Sequence, residues 1–218
     1  MRIRAVGLVV VGLLLAGQLE AQDDLWQRKW YWGAQGGVAM FQTPTAAGTQ
    51  TGISVGGHWL ITATRSALYL GFDQMIFDNT TTSAVVDPTS VGGIRSVSFT
   101  SGRRIQAIAY VIPTDNFIQP YVGGGFGINQ ITDALPAGSF TTVAEQESVL
   151  RTIETVGTKA FPIISGGLQY RMGKLAVFGQ YQFMPEGRDF LLSGVQHVFS
   201  GGIRWALTSS QEEITTER

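Results

Sequence analysis

The sequence predicts an all-β protein, a closed antiparallel eight-stranded transmembrane β-barrel. Three observations carry that prediction. Apolar residues recur at every second position through most of the chain, the alternating segments number eight, and the connections between them are short and long by turns. One face of each strand in such a barrel meets lipid and the other the interior. Hydrophobicity therefore alternates and does not build long apolar runs. Composition agrees. Charged residues make up 14% of the chain, against roughly 25% in soluble domains. Glycine is abundant, at 28 of 218 residues, and cysteine is absent. Disulfides therefore hold nothing together, which excludes a small stapled secreted domain. The net charge of −1 provides no electrostatic footprint for nucleic acid.

Residues 1–21 read as a secretory signal peptide. Arg2 and Arg4 form a basic start, Ala5 to Ala16 is an uncharged apolar run, and Ala21 can precede a cleavage site. The apolar run is too short for a spanning helix, which needs about 20 residues. A short segment, 22–29, leads into the barrel domain at 30–207, and a polar tail follows at 208–218.

The eight segments fall at 30–42, 51–62, 66–78, 96–112, 118–131, 156–172, 174–184 and 195–207. In the first, Trp30, Trp32, Ala34, Gly36, Val38 and Met40 alternate with Tyr31, Gly33, Gln35, Gly37 and Ala39. In the second, Ile53, Val55, Trp59 and Ile61 alternate with Ser54, Gly56 and His58, and in the third Leu68, Leu70 and Phe72 alternate with Tyr69, Gly71 and Asp73. The sixth, seventh and eighth behave alike, with Ile164, Val177 and Ile203 on the apolar face and Gln169, Gln180 and Arg204 on the other. Tight turns at Ala63-Thr64, Pro113-Thr114-Asp115-Asn116 and Gly173-Lys174 contrast with polar loops at 79–95, 132–155 and 185–194, with 43–50 intermediate. Short periplasmic turns opposite long extracellular loops are the outer-membrane pattern, and an even strand count brings both termini to the short-turn side.

Aromatic residues add a vertical coordinate. Trp30, Trp32, Trp59, Tyr170 and Trp205 all take the apolar parity and all fall at the short-turn ends of their strands. They predict a periplasmic-side aromatic girdle. The interior parity collects Asp73, Arg104, Lys159, Arg171 and Arg204. Buried charges need partners, and an eight-stranded barrel is just wide enough for side chains to fill. The expectation is a structural lumen charge network and not a selective pore.

Two stretches resemble the outer-membrane β-barrel family that includes the small OmpA-like and OmpX-like barrels. They are Gln119-Pro120-Tyr121-Val122-Gly123-Gly124-Gly125-Phe126-Gly127 and the closing strand, His197 to Leu207. The resemblance implies residence in the bacterial outer membrane, contact with outer-membrane lipid and lipopolysaccharide, and recognition of the last strand by the outer-membrane assembly machinery. It further implies a structural, surface-contact or loop-mediated binding role. The chain departs from the family pattern at its end, where Leu207 stands in place of a terminal aromatic and an eleven-residue polar tail follows.

Nothing in the sequence assembles a catalytic site, and no cofactor or metal motif is present. Residues 123–127 are glycine-rich, but a dinucleotide fingerprint would need glycine where Ile128 stands, followed by a helix. His197 has lipid-face parity near the extracellular end of the last strand, where a lipid A-modifying barrel enzyme would place a histidine, yet Ser200 has the opposite parity and no acidic residue stands by to orient the ring. A soluble lipocalin-like carrier would put its apolar face inside, which the outward girdle opposes.

Overall fold

The computed structural model describes residues 29–79, 81–90, 92–185 and 190–209. The expected signal peptide, residues 22–28 and residues 210–218 of the polar tail lie outside them. Eight strands form the wall: β1 (Lys29–Gln42), β2 (Gln50–Thr62), β3 (Ser66–Phe77), β6 (Ser101–Val111), β7 (Ile118–Ile131), β9 (Thr158–Met172), β10 (Leu175–Met184) and β11 (Ser193–Ser209). They close in the order β1-β11-β10-β9-β7-β6-β3-β2, and every pairing is antiparallel. Apart from the gaps bridged by extra elements, neighbours in the wall are neighbours in sequence, as hairpin-built barrels require.

The register fixes the shape. Followed through paired residues once around the wall, Met40 leads through His197, Phe183, Ile164, Gly124, Ala109, Leu68 and Ile61 back to β1 at Trp30, ten residues lower. Ten residues of about 3.3 Å climbed across eight strands about 4.8 Å apart tilt the strands by about 41° and give a wall radius of about 8 Å. Each residue then rises about 2.5 Å along the barrel axis, so the stretch from Trp30 to Met40 spans about 25 Å, the height of the apolar band of an outer-membrane barrel.

The outward face is apolar over this height. Ile53, Val55, Leu68, Phe72, Ile105, Val122, Phe126, Ile164, Leu168, Phe199 and Ile203 are all exposed there. Such a continuous apolar surface, unmatched by any protein cover, is stable against lipid and not against water. Inward residues pack the lumen. Small and polar residues run through its height, from Gln119, Gln169 and Arg204 near the short turns to Asn129 and Gln196 near the long loops, and large apolar or aromatic side chains are interleaved with them: Tyr31, Leu60, Tyr110 and Phe178 near the short turns, and Phe41, Met75, Phe77, Phe161, Ile163 and Met184 toward the long loops. Close packing also explains the inward glycines. A Cβ on Gly123 would lie 2.0 Å from the Ala109 carbonyl oxygen, and one on Gly125 2.0 Å from that of Ala107.

The long-loop end departs from expectation. The segment expected as one strand over 96–112 is two: β5 (Ile94–Phe99) leaves the barrel and β6 begins at Ser101. β5 pairs with β4 (Thr82–Val86) and with β8 (Ala134–Pro136) in a separate three-stranded sheet. The expected polar loops at 79–95 and 132–155 thus carry β4, the start of β5, β8 and most of a helix, α1 (Val143–Val156). The helix starts where Thr142 accepts from the Glu145 backbone N–H and the Glu145 carboxylate accepts from the Thr141 N–H, a near-reciprocal cap. Val149 and Ile153, one turn apart, are buried together with Val85, Val97 and Phe99 in the apolar core. Strand β9 consequently begins at Thr158, after the helix, and not at 156.

Candidate functional site in the lumen and the loop-end cap

The lumen holds two polar clusters. In the first, Asp73 on β3 is fully buried and sits opposite Arg104 on β6. Its carboxylate accepts from Arg104 Nε (3.2 Å) and Nη2 (2.9 Å), from Gln106 Nε2 (3.0 Å) and from Gln35 Nε2 (2.6 Å). The Tyr69 hydroxyl donates to Gln35 Oε1 at 2.8 Å, extending the chain of bonds across the waist. Four charge-assisted bonds on one carboxylate, from three side chains on two strands, are what a buried ion pair needs to offset its desolvation.

The second cluster surrounds Arg204 on β11. Its Nε donates to His58 Nε2 (2.9 Å) and its Nη1 to Gln169 Oε1 (2.6 Å), while Gln169 Nε2 donates to Gln119 Oε1 (2.7 Å). The guanidinium lies 3.8 Å from the Phe178 ring centroid. No carboxylate faces it among the described residues, so aromatic π density and amide oxygens serve in place of a counter-ion.

Of the five charges expected to share the lumen, the structure joins Asp73 with Arg104 and gives Arg204 a separate setting. Lys159 pairs across to Asn129 near the long-loop end, and Arg171 pairs across to Ala176 beside the Gly173 turn. They stand at opposite ends of β9, and no ion pair links either to Asp73 among the described residues. Parity assigns a side chain to a face but not to a height.

Outside the wall, Trp59, Trp32 and Trp205 occupy one paired row near the short turns. The Trp32 and Trp30 rings lie 4.7 Å and 5.4 Å from that of Trp59. Tyr170 faces outward at the same end of β9, opposite Ile118. A second outward aromatic group was not anticipated. Phe72, Phe126, Phe183 and Phe199, on four different strands, fall within about one residue rise of each other toward the long loops once the ten-residue stagger is applied. Their parity was legible, but their common height requires the register. His197 lies near this level, its Nδ1 bonded to the Tyr181 hydroxyl at 2.7 Å.

The cap over the long-loop end is organised by Arg95 on β5, which sequence reasoning did not single out. Its Nε meets Asp87 Oδ2 at 2.5 Å and its Nη2 meets Glu145 Oε1 at 3.0 Å. Nη1 donates to the carbonyls of Ala137 (3.0 Å) and Ser139 (3.2 Å), and the guanidinium covers the Phe140 ring at 4.2 Å. One arginine thus ties the β4–β5 hairpin, the chain after β8 and the first turn of α1. The Thr89 hydroxyl bridges toward Asp87 and Glu145. Hydrogen bonding from Thr89, then from Arg95, holds the Asp87 carboxyl below its ordinary value, and Thr89, then the Thr141 N–H, does the same for Glu145.

No protein-family model matches the chain, and no curated protein sequence matches it. Among solved structures, Neisserial surface protein A is similar at 14% identity, over 82% of this chain and 97% of that one, with a TM-score of 0.55. The outer membrane protein OprG from Pseudomonas aeruginosa matches at 12% identity over 84% and 96% of the two chains, with a TM-score of 0.42. The closed wall of eight antiparallel strands, its outward apolar band and the first of these likenesses agree: the chain has the fold of the small eight-stranded outer-membrane β-barrels.

Proposed function

We propose that this chain is a non-enzymatic resident of the bacterial outer membrane whose working part is the folded cap at the extracellular end. The single observation that carries this reading is the contrast between the two candidate sites. The lumen is packed with side chains from end to end, whereas the long loops spend their residues on a sheet, a helix and an arginine-centred latch. A barrel that merely anchored itself would not need an ordered superstructure, and loops on a rigid wall are where surface proteins carry contact function. Neisserial surface protein A, whose fold is similar, is named as a surface protein, which supports the same orientation. On this reading the short turns and the tryptophan girdle face the periplasm, and the wall contacts lipid and lipopolysaccharide.

An epitope inserted after Gly48, an exposed position in the β1–β2 loop with open space around it, tests orientation and location together. Antibody should label intact cells, and the outer-membrane fraction should contain a band whose gel mobility changes on heating. Labelling only after the envelope is permeabilised would overturn the reading.

A further inference from the structure

Among the described residues of the eight wall strands, one charged side chain faces outward. Lys29, Asp73, Arg104, Lys159, Arg171 and Arg204 take the inward parity, whereas Arg103 on β6 is exposed on the lipid face. Its neighbours are not those of an isolated intruder. The paired row that contains it runs Gln74 on β3, Arg103, Gln130 on β7 and Thr158 on β9. Four polar side chains on four adjacent strands thus stand side by side, about 5 Å from strand to strand. The next outward row below is Phe72, Ile105 and Ile128, all exposed and all apolar. Polar donors over an apolar surface match an amphiphile, with its headgroup above and its acyl chains below.

The position is one-sided. At comparable height the outward residues on β1, β2 and β10 include Val38, Met40, Ile53 and Phe183, and on β11 the outward His197 is bonded to Tyr181, so the charged row is a patch and not a uniform rim. No hydrogen bond or ion pair to a described residue engages the Arg103 guanidinium, and Asp133, the nearby carboxylate at the start of the following loop, is engaged by the Ser101 hydroxyl. A guanidinium fork flanked by carboxamide N–H donors fits the tetrahedral oxygens of a phosphate better than any neutral group. Resting on the reading that the wall sits in a bilayer with its long loops outward, we propose that the Gln74–Arg103–Gln130–Thr158 row binds the phosphate of an outer-leaflet lipid headgroup, with the acyl chains lying on Phe72, Ile105 and Ile128.

The test is native mass spectrometry of the full chain folded in detergent, as wild type, Arg103→Gln, Arg103→Lys and Gln130→Leu. Each is mixed with bis-phosphorylated lipid A, dephosphorylated lipid A or inorganic phosphate. Wild type should retain the phosphorylated lipid about tenfold better than Arg103→Gln, with Arg103→Lys between them and Gln130→Leu weakened a few-fold. The dephosphorylated lipid should bind all four equally weakly. Arg103→Gln that is folded, by its heat-dependent mobility, and binds phosphorylated lipid A as wild type does would overturn the proposal alone. Binding of inorganic phosphate as tight as that of the lipid would overturn the lipid headgroup as the source. A wild-type chain that fails to fold in detergent would defeat the membrane-barrel reading and the proposal with it.

Discussion

Asp73→Asn is the perturbation that most directly probes the lumen. The carboxylate offers both oxygens to donors: Oδ1 to Gln35, and Oδ2 to Arg104 and Gln106. Asparagine keeps one acceptor and replaces the other with an N–H pair. If its oxygen turns toward Arg104 and Gln106, its amide nitrogen confronts the Gln35 amide. Flipping Gln35 only moves the fault, because the Tyr69 hydroxyl then loses its acceptor. The larger effect is electrostatic. Arg104 is 2% exposed and has no other carboxylate partner among the described residues. Removing one partner of a buried pair costs about 3–5 kcal/mol. The retained amide oxygen and the distant Ser54 hydroxyl argue for the lower end, about 3 kcal/mol. Equilibrium unfolding in urea from lipid vesicles, followed by tryptophan fluorescence, measures it. Asp133→Asn, which loses an exposed contact with Ser101, should cost under about 1 kcal/mol. The double variant Asp73→Asn with Arg104→Gln should recover part of the loss. Strict additivity in that cycle, or a single variant as stable as wild type, would refute the argument that the pair is held by mutual compensation.

Four further outcomes follow from the same geometry. Ile164→Arg, outward and near mid-height of the apolar band, should destabilise the barrel by about 2–4 kcal/mol in vesicles, measured in the same unfolding assay. Gly179→Ala, outward with no atom within 4 Å of an added Cβ, should stabilise by about 0.4–1 kcal/mol, while Gly125→Ala should destabilise by about 1–3 kcal/mol; the reverse order would mean that the faces are misassigned. The cap should loosen in acid before the wall does. Folding holds the Asp87 and Glu145 carboxyls below their ordinary values, so their contribution is present above the usual carboxylate range and is lost as pH falls through the lowered folded-state values. Because the chain lacks cysteine, a spin label at Ser148→Cys on α1 reports this directly, and its mobility should rise at low pH while the strand circular dichroism persists.

The wall was legible because two signals coincide in it. Alternation gives the face and tight turns give the ends, so the segments expected at 30–42, 51–62, 66–78, 118–131 and 174–184 match β1, β2, β3, β7 and β10 to within a residue at each end. The fourth strand misled because alternation runs on from Ile94 to Val111 with only Thr100 to mark a break. The phase does change there. Arg95, Val97 and Phe99 are the buried set in β5, and Gly102, Arg104 and Gln106 in β6. One uninterrupted strand cannot turn over its faces in that way. Helix α1 was hidden in a polar loop, although Thr142 and Glu145 at capping-box spacing ahead of Val149 and Ile153 were a usable signal. The grouping of the inward charges was not legible. Lys159 and Arg171 share parity with Gln169 and Ser165 on β9, but they are twelve residues apart, about 30 Å along the axis at the tilt set by the stagger. Only the register, which needs every turn at once, separates them.

The same stagger limits where the protein can act. A wall radius of about 8 Å leaves an interior that inward side chains fill: the Arg204 cluster lies among the tyrosines and Phe178 near the short turns, the Asp73 cluster lies higher, and Phe41, Met75, Phe77, Phe161 and Met184 form an apolar tier near the long loops. A permeating solute would have to displace that upper apolar tier and then break charge-assisted bonds that link one strand to another across the lumen through Gln35, Gln106 and Gln169. Widening the wall would require more strands or a larger stagger, and the continuous pairing from Tyr31 to Met40 on both flanks of β1 permits neither. The chemistry open to this chain is therefore at its surfaces. The outward band meets lipid, with Arg103 as its one charge among the described wall residues. The cap meets whatever lies beyond the membrane, held in shape by Arg95. Replacing Arg95 with methionine would leave the Asp87 and Glu145 carboxylates facing each other across Thr89 with no cation between them. The cap should then release α1 at neutral pH while the barrel stays closed, so the same spin label at position 148 should become mobile with no change in the urea midpoint. An immobile label in that variant would show that the apolar contacts of Val149 and Ile153 alone hold the helix, and that Arg95 serves the hairpin and not the cap.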